Sequence, residues 1–106
     1  MRPVGIIANV KAKAELLQRD RLDFDDGAIL EMIIWKVPQP VPGSNHSYKY
    51  RLFYGYRGKR IVGYDNERPK GDHRHFDGKE AQYTFVDVET LVRDFLADVQ
   101  QRRKSP

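Results

Sequence analysis

The chain has 106 residues, no cysteine and a formal charge of +4, from 19 basic and 15 acidic side chains. That length suits one domain with a modest core, and the missing thiols exclude a disulfide framework and any thiolate-held metal. No stretch approaches the roughly 20 apolar residues of a membrane-spanning helix. The apolar part of the N-terminus is too short for a secretory signal. A soluble, cytoplasmic protein with no membrane partner is therefore expected.

Residues 1–13 hold no sustained period and are expected to form a loose arm ahead of a single domain over 14–104. From 15 to 24, Leu16, Leu22 and Phe24 share one parity, as in a strand, and Asp25, Asp26 and Gly27 supply a tight reversal. The run 28–37 is the most apolar in the chain. Leu30, Met32 and Ile34 lie on one face; Ile29, Ile33 and Trp35 lie on the other with Glu31. Two largely apolar faces predict a central strand covered, at least in part, on both sides. Pro38, Pro40 and Pro42 remove ladder donors and predict an extended surface connection.

Residues 48–56 alternate cleanly, Arg57 and Gly58 form a turn, and 59–64 return as the second arm of a hairpin. A plain two-residue loop sets Phe53 opposite Val62 and Arg51 opposite Tyr64, so Arg51, Phe53, Val62, Tyr64 and Asn66 are predicted to share a face. A turn over 77–80 precedes a short strand over 82–85. Asp87 is placed to cap a helix in which Val88, Leu91, Val92, Phe95, Leu96 and Val99 recur at helical spacing. Glu89 with Arg93, and Asp98 with Arg102, have the spacing of ion pairs. Arg102, Arg103 and Lys104 read as a solvated basic end. The fold class is α+β: an antiparallel sheet of about five strands with the C-terminal helix packed on one face.

Between the strands lies Tyr64-Asp-Asn-Glu-Arg-Pro-Lys-Gly-Asp-His-Arg-His75, which holds two of the chain's three histidines. Charged groups are costly to bury without partners, so no core needs such a stretch; a polar loop on a rigid scaffold is where chemistry is usually placed. His73 and His75 are separated by one residue, so on extended chain both imidazoles project to one side. They could remove a 2′-hydroxyl proton and protonate a 5′-leaving oxygen. Lys70, Arg74 and Arg51 supply charge for a phosphate, Asp72 could orient a histidine, and Gly71 would let a ligand approach the backbone. His73 and His75 with Asp65, Glu67 or Asp72 offer a rival use of the same atoms, as ligands for a divalent cation. The structural alternative is that Asp65, Asn66 and Glu67 cap a turn while Arg68, Lys70 and Arg74 pair with nearby carboxylates.

Cations are concentrated in the middle third, from Lys49 to Arg74, and Tyr48, Tyr50, Tyr54, Tyr56 and Tyr64 are interleaved with them. Positive charge for phosphates and aromatic faces for bases is the combination used on single-stranded RNA. Tyrosines and long basic side chains are equally good residues for a two-sided strand.

The central stretch, with Tyr83-Thr-Phe85 and Asp94-Phe-Leu-Ala-Asp-Val99 after it, resembles the TumE-type toxins of bacterial toxin–antitoxin modules. Arg19-Asp-Arg-Leu22, Asp25-Asp-Gly27 and Val41-Pro-Gly43 ahead of Tyr48-Lys-Tyr-Arg51 look like the same family, so the likeness spans about 14–103. Pro69 stands where a glycine is expected. The resemblance implies a small toxin and a cognate antitoxin, a helix-turn-helix DNA-binding protein from the neighbouring gene. It supplies no mechanism.

Three functions are compatible with these residues. First is a metal-independent endoribonuclease toxin acting on mRNA, with no cofactor. His73, His75, Lys70 and Asp72 would do the chemistry, with Arg51, Arg74, Tyr64, Asn66 and Arg68 on substrate. Second is a nuclease that uses a metal at His73 and His75 with Asp65 or Asp72. Third is an inhibitor or adaptor that binds RNA or protein without chemistry.

Overall fold

A computed structural model describes residues 13–104; all but the last residue of the expected N-terminal arm lies outside them. Six strands run in chain order across one antiparallel sheet: β1 (Glu15–Asp23), β2 (Ala28–Lys36), β3 (Tyr48–Tyr56), β4 (Lys59–Asp65), β5 (His73–Phe76) and β6 (Lys79–Gln82). Helix α1 (Val88–Lys104) lies on one face. The α+β class is as expected. The extra strand is β5, which occupies the C-terminal end of the polar stretch read above as loop.

Each connection follows from local chemistry. Arg57 and Gly58 (φ 51° and 78°), and Asp77 and Gly78 (φ 50° and 83°), place both central residues of their hairpin turns at positive φ. Such turns match the right-handed twist of the strands they join. The second turn starts β6 at Lys79, so the strand expected over 82–85 is shifted back to 79–82 and residues 83–87 cross to the helix instead. Asp87 caps α1, its Oδ1 accepting the Thr90 amide at 2.7 Å.

The core is the helix-side face of the sheet. Leu30, Met32 and Ile34 from β2, Leu52 and Tyr54 from β3, and Val62 and Tyr64 from β4 are buried with Leu91, Phe95 and Val99 of α1. Leucine, valine and aromatic residues at this spacing bury about 1.5–3 kcal/mol of transfer free energy each. β2 is second in the sheet, not central, and its other face (Ile29, Ile33, Trp35) is only half-buried.

One departure from the expected register decides the site. A bulge between Tyr54 and Gly55 inserts an extra residue on β4, so Tyr54 faces Val62, Leu52 faces Tyr64 and Arg51 faces Asp65. Without it, alternation would have turned Gly63 and Asp65 toward the helix. The bulge buries Val62 and Tyr64 instead and sends Asp65 to the other side, because burying apolar side chains outweighs one disturbed ladder position. Arg51 and Tyr64, predicted to share a face, therefore lie on opposite ones.

The expected helix pairs also resolve differently. Asp98 turns inward to Tyr64 and Arg74, while Arg102 reaches Asp77 at 2.9 Å. Arg103 lies over the Phe24 ring at 3.8 Å and donates to the Tyr54 hydroxyl at 2.8 Å. The basic end of α1 thus latches the helix to the turns beneath it.

Candidate functional site

The outer face of the sheet, opposite α1, gathers side chains from neighbouring strands by register alone. Asp65 is opposite His73, which is opposite Gln82; Gly63 is opposite His75, which is opposite Glu80. The two imidazoles do share a side, with ring centroids 5.0 Å apart in an edge-to-face arrangement. Neither ring stands open to solvent, although a polar loop carrying proton-transfer groups requires that they be reachable. His73 is 6% exposed, covered by Asp65 and Glu80, and His75 is half-buried under Arg60 and Glu80.

Hydrogen bonding fixes both tautomers. Nδ1 of His73 donates to the Gly71 carbonyl at 2.9 Å, so its Nε2 points at Asp65 Oδ1 (2.9 Å) and Glu80 Oε2 (3.5 Å). For the shorter contact to be a hydrogen bond the ring must carry both protons. His75 is the reverse: Nδ1 accepts from Arg60 Nη2 at 3.0 Å, leaving the proton on Nε2, 3.7 Å from Glu80. Burial, and then the Arg60 charge, holds the His75 pKa below its usual range. Arg60 reaches this position because Gly63 lies beneath it; a Cβ there would stand 2.6 Å from Arg60 Cδ.

A groove of about 800 Å³ lies between the proline loop and the sheet; it shares Asp65 and Arg60 with this cluster, and neither His73 nor His75 lines it. Lys49, Arg51, Arg60 and Arg68 line it with Asp65 and Glu67. Arg51 stacks over Phe53 at 5.0 Å. Lys70 is exposed beside Glu80, at 3.8 Å.

The remaining predicted residues are elsewhere. Arg74 and Tyr64 lie on the helix face, where Tyr64 donates to Asp98 at 2.6 Å and Arg74 Nε also reaches Asp98 at 2.6 Å. The Asp98 bond raises the Arg74 pKa, and burial, then the same carboxylate, raises that of Tyr64. Tyr64 is packed edge-on between Tyr83 and Phe95, so it has no face to offer a base. Asp72 touches neither predicted histidine. Instead it accepts from Ser44 (2.6 Å), His46 Nε2 (2.7 Å) and Tyr50 (2.6 Å). His46 Nδ1 accepts the Tyr48 amide at 3.2 Å and its ring stacks on Phe85 at 3.8 Å, so both its nitrogens are committed. Asn66, 1% exposed, joins the same fastening by accepting from the Tyr50 amide and donating to the Tyr48 carbonyl. Gly71 does permit a close approach, but to chain: a Cβ there would meet the Gly43 carbonyl oxygen at 2.5 Å.

Asp65, His73 and His75 thus come together with Arg51 nearby, and Lys70 and Arg68 stand at the margins. Arg60 and Glu80 were missed. The period-two pattern at His73 and His75, running into the Asp77–Gly78 turn, could have revealed β5 and hence Glu80 across from His75; nothing local announced the bulge that brings Arg60 inward. The three ligand atoms of Asp65, His73 and His75 lie within 4.8 Å of one another, close enough to hold a metal ion.

The family model described as Toxin TumE matches residues 5–103. The chain belongs to the TumE toxin family. No curated protein and no solved structure matches it. Membership in TumE identifies a toxin, a class that in general has a cognate antitoxin. No helix among the described residues is long and apolar enough to cross a membrane.

Proposed function

We propose that this TumE-family toxin is an endoribonuclease of a type II toxin–antitoxin module that cleaves mRNA in the cytoplasm without a metal cofactor. The observation that carries this reading is a histidine pair in contact with Asp65 and Arg60, which also line a groove with Lys49, Arg51 and Arg68. Its antitoxin is a helix-turn-helix DNA-binding protein.

Phosphates lie along the groove cations, and the scissile one draws Arg60 off His75. Nδ1 of His75 then accepts the 2′-hydroxyl proton while the 2′-oxygen attacks phosphorus. His73, held by Gly71 and Asp65, gives the proton from Nε2 to the departing 5′-oxygen. The products are a 2′,3′-cyclic phosphate and a 5′-hydroxyl end. Glu80, more than a third exposed, must move aside for His73 to reach the leaving group.

The burial of His73 favours a second reading, in which the groove binds RNA and blocks it without cutting. One experiment separates the two. The wild type and the His73→Gln/His75→Gln double variant are induced without antitoxin, total RNA ends are mapped, and folding is checked by circular dichroism. New 5′-hydroxyl ends and growth arrest in the wild type alone support the nuclease. Arrest by the folded double variant, without new ends, supports the blocker.

A further inference from the structure

We propose that Asp65, His73, His75 and Glu80 form a binding site for one divalent transition-metal ion of the zinc class, and that its occupancy silences the toxin. The silencing half rests on the endoribonuclease reading; the binding half does not.

Ligand type comes first. Two imidazoles and two carboxylates suit zinc, cobalt and nickel better than magnesium or calcium, which prefer oxygen alone. Spacing comes second. Metal–ligand bonds of 2.0–2.1 Å in a tetrahedron put neighbouring ligand atoms about 3.3 Å apart. Here His73 Nε2 is 2.9 Å from Asp65 and 3.5 Å from Glu80, while His75 Nε2 is 3.7 Å from Glu80. Closing the polyhedron needs shifts of side chains only.

Support for the ligands is already built. His73 is buried and donates Nδ1–H to the Gly71 carbonyl, an arrangement that fixes the ring and leaves Nε2, once it gives up its proton, as the ligating atom. Its nitrogen faces two carboxylates whose counter-charges, Arg60 at 4.0 Å from Asp65 and Lys70 at 3.8 Å from Glu80, come from exposed, flexible side chains. A divalent ion would replace those cations. For His75 to ligate through Nε2, its proton must move to Nδ1, which requires Arg60 to withdraw. Metal and Arg60 therefore compete, and an ion in place removes the His73 Nε2 proton and the His75 Nδ1 lone pair that cleavage needs.

The test is calorimetric titration of Zn²⁺ into chelator-treated, dialysed full-length protein, with Co²⁺ absorption reporting geometry. One ion bound per chain at micromolar affinity or tighter, with tetrahedral Co²⁺ bands, is expected. His75→Ala and Asp65→Asn should each weaken it about 10-fold or more, and Arg60→Ala should tighten it by roughly 10-fold. Absent stoichiometric binding, or binding indifferent to His75→Ala and Asp65→Asn in folded protein, overturns the site. RNA cleavage with and without Zn²⁺ is a separate arm: loss of cleavage supports silencing. Stimulation overturns silencing and the metal-free mechanism but leaves the site standing. Protein that binds Zn²⁺ yet never cuts RNA overturns silencing and the nuclease reading together, with the site again intact.

Discussion

Two carboxylates in the same polar stretch, Asp65 and Asp72, each contact a histidine, yet their surroundings differ in kind. Asp72 is locked in: Ser44, His46 and Tyr50 all donate to it, and Ser44 and His46 are themselves held by Asn66 and the Tyr48 amide. Asp65 faces the Nε2 of a fixed imidazole, with Arg60 at 4.0 Å and Glu80 sharing the same ring. A saturated cluster fastens loops, whereas one held by exposed and exchangeable partners can give up its contacts to a phosphate or an ion. Proximity to histidine does not distinguish structural acid from functional acid; what the other oxygens and nitrogens are doing does.

The comparison breaks most visibly at Asp72. Replacing it by alanine leaves three donors without an acceptor beneath packed aromatic rings and should cost about 3 kcal/mol of unfolding free energy. Asp65→Asn should cost about 1 kcal/mol or less but lower RNA cleavage about 100-fold. Urea unfolding and a cleavage assay on both variants check this. A stable Asp72→Ala protein that has lost cleavage would reverse the roles assigned to the two acids.

The two faces of the sheet give the next contrast, between Arg74 and Arg51. Arg74→Ala removes the guanidinium that bridges Asp98 and Tyr64, for a loss of roughly 1–2 kcal/mol, and should leave RNA affinity unchanged. Arg51→Ala should shift stability by no more than about 0.5 kcal/mol and reduce the salt slope of RNA binding by about 1. Fluorescence anisotropy across a salt series distinguishes them. A third change sharpens the site itself: Gly63→Ala would push Arg60 away from the sheet and out of reach of the scissile phosphate, lowering cleavage by about 10-fold while circular dichroism stays the same. Cleavage at the wild-type rate would show that Arg60 need not lie flat across the sheet.

Much of this organisation is readable in the chain. Alternation and turn residues locate β2, β3, β4 and the three glycine-containing hairpin turns, and the helix announces itself through Asp87 and its apolar spacing. The polar stretch is also conspicuous. What it does not disclose is how its residues divide between faces, because one bulge on β4, at Ile61, reverses parity from Val62 to Asp65 and so separates Tyr64 from Arg51. Bulges are settled by which side chains the core will accept, a tertiary quantity with weak local signal. The pairing of Asp72 with His46, 26 positions away, depends on two loops meeting at Gly43 and Gly71, which no periodicity encodes.

The smallest expected effect lies at a third acid, Asp87, which is exposed and bonds the amide and the side chain of Thr90. The Thr90 amide holds its carboxyl below the usual range. A depressed folded-state pKa stabilises the protein above the unfolded value of about 3.9, and that contribution disappears as pH falls through the lower, folded value. Asp87→Ala should therefore lower the melting temperature by a few degrees at neutral pH, and the gap to wild type should close in acid. Melting curves from pH 7 down to pH 2 test it. A gap that stays constant through this range would mean that the cap acts through shape and not charge, making Asp87 a fastening like Asp72 despite its exposure.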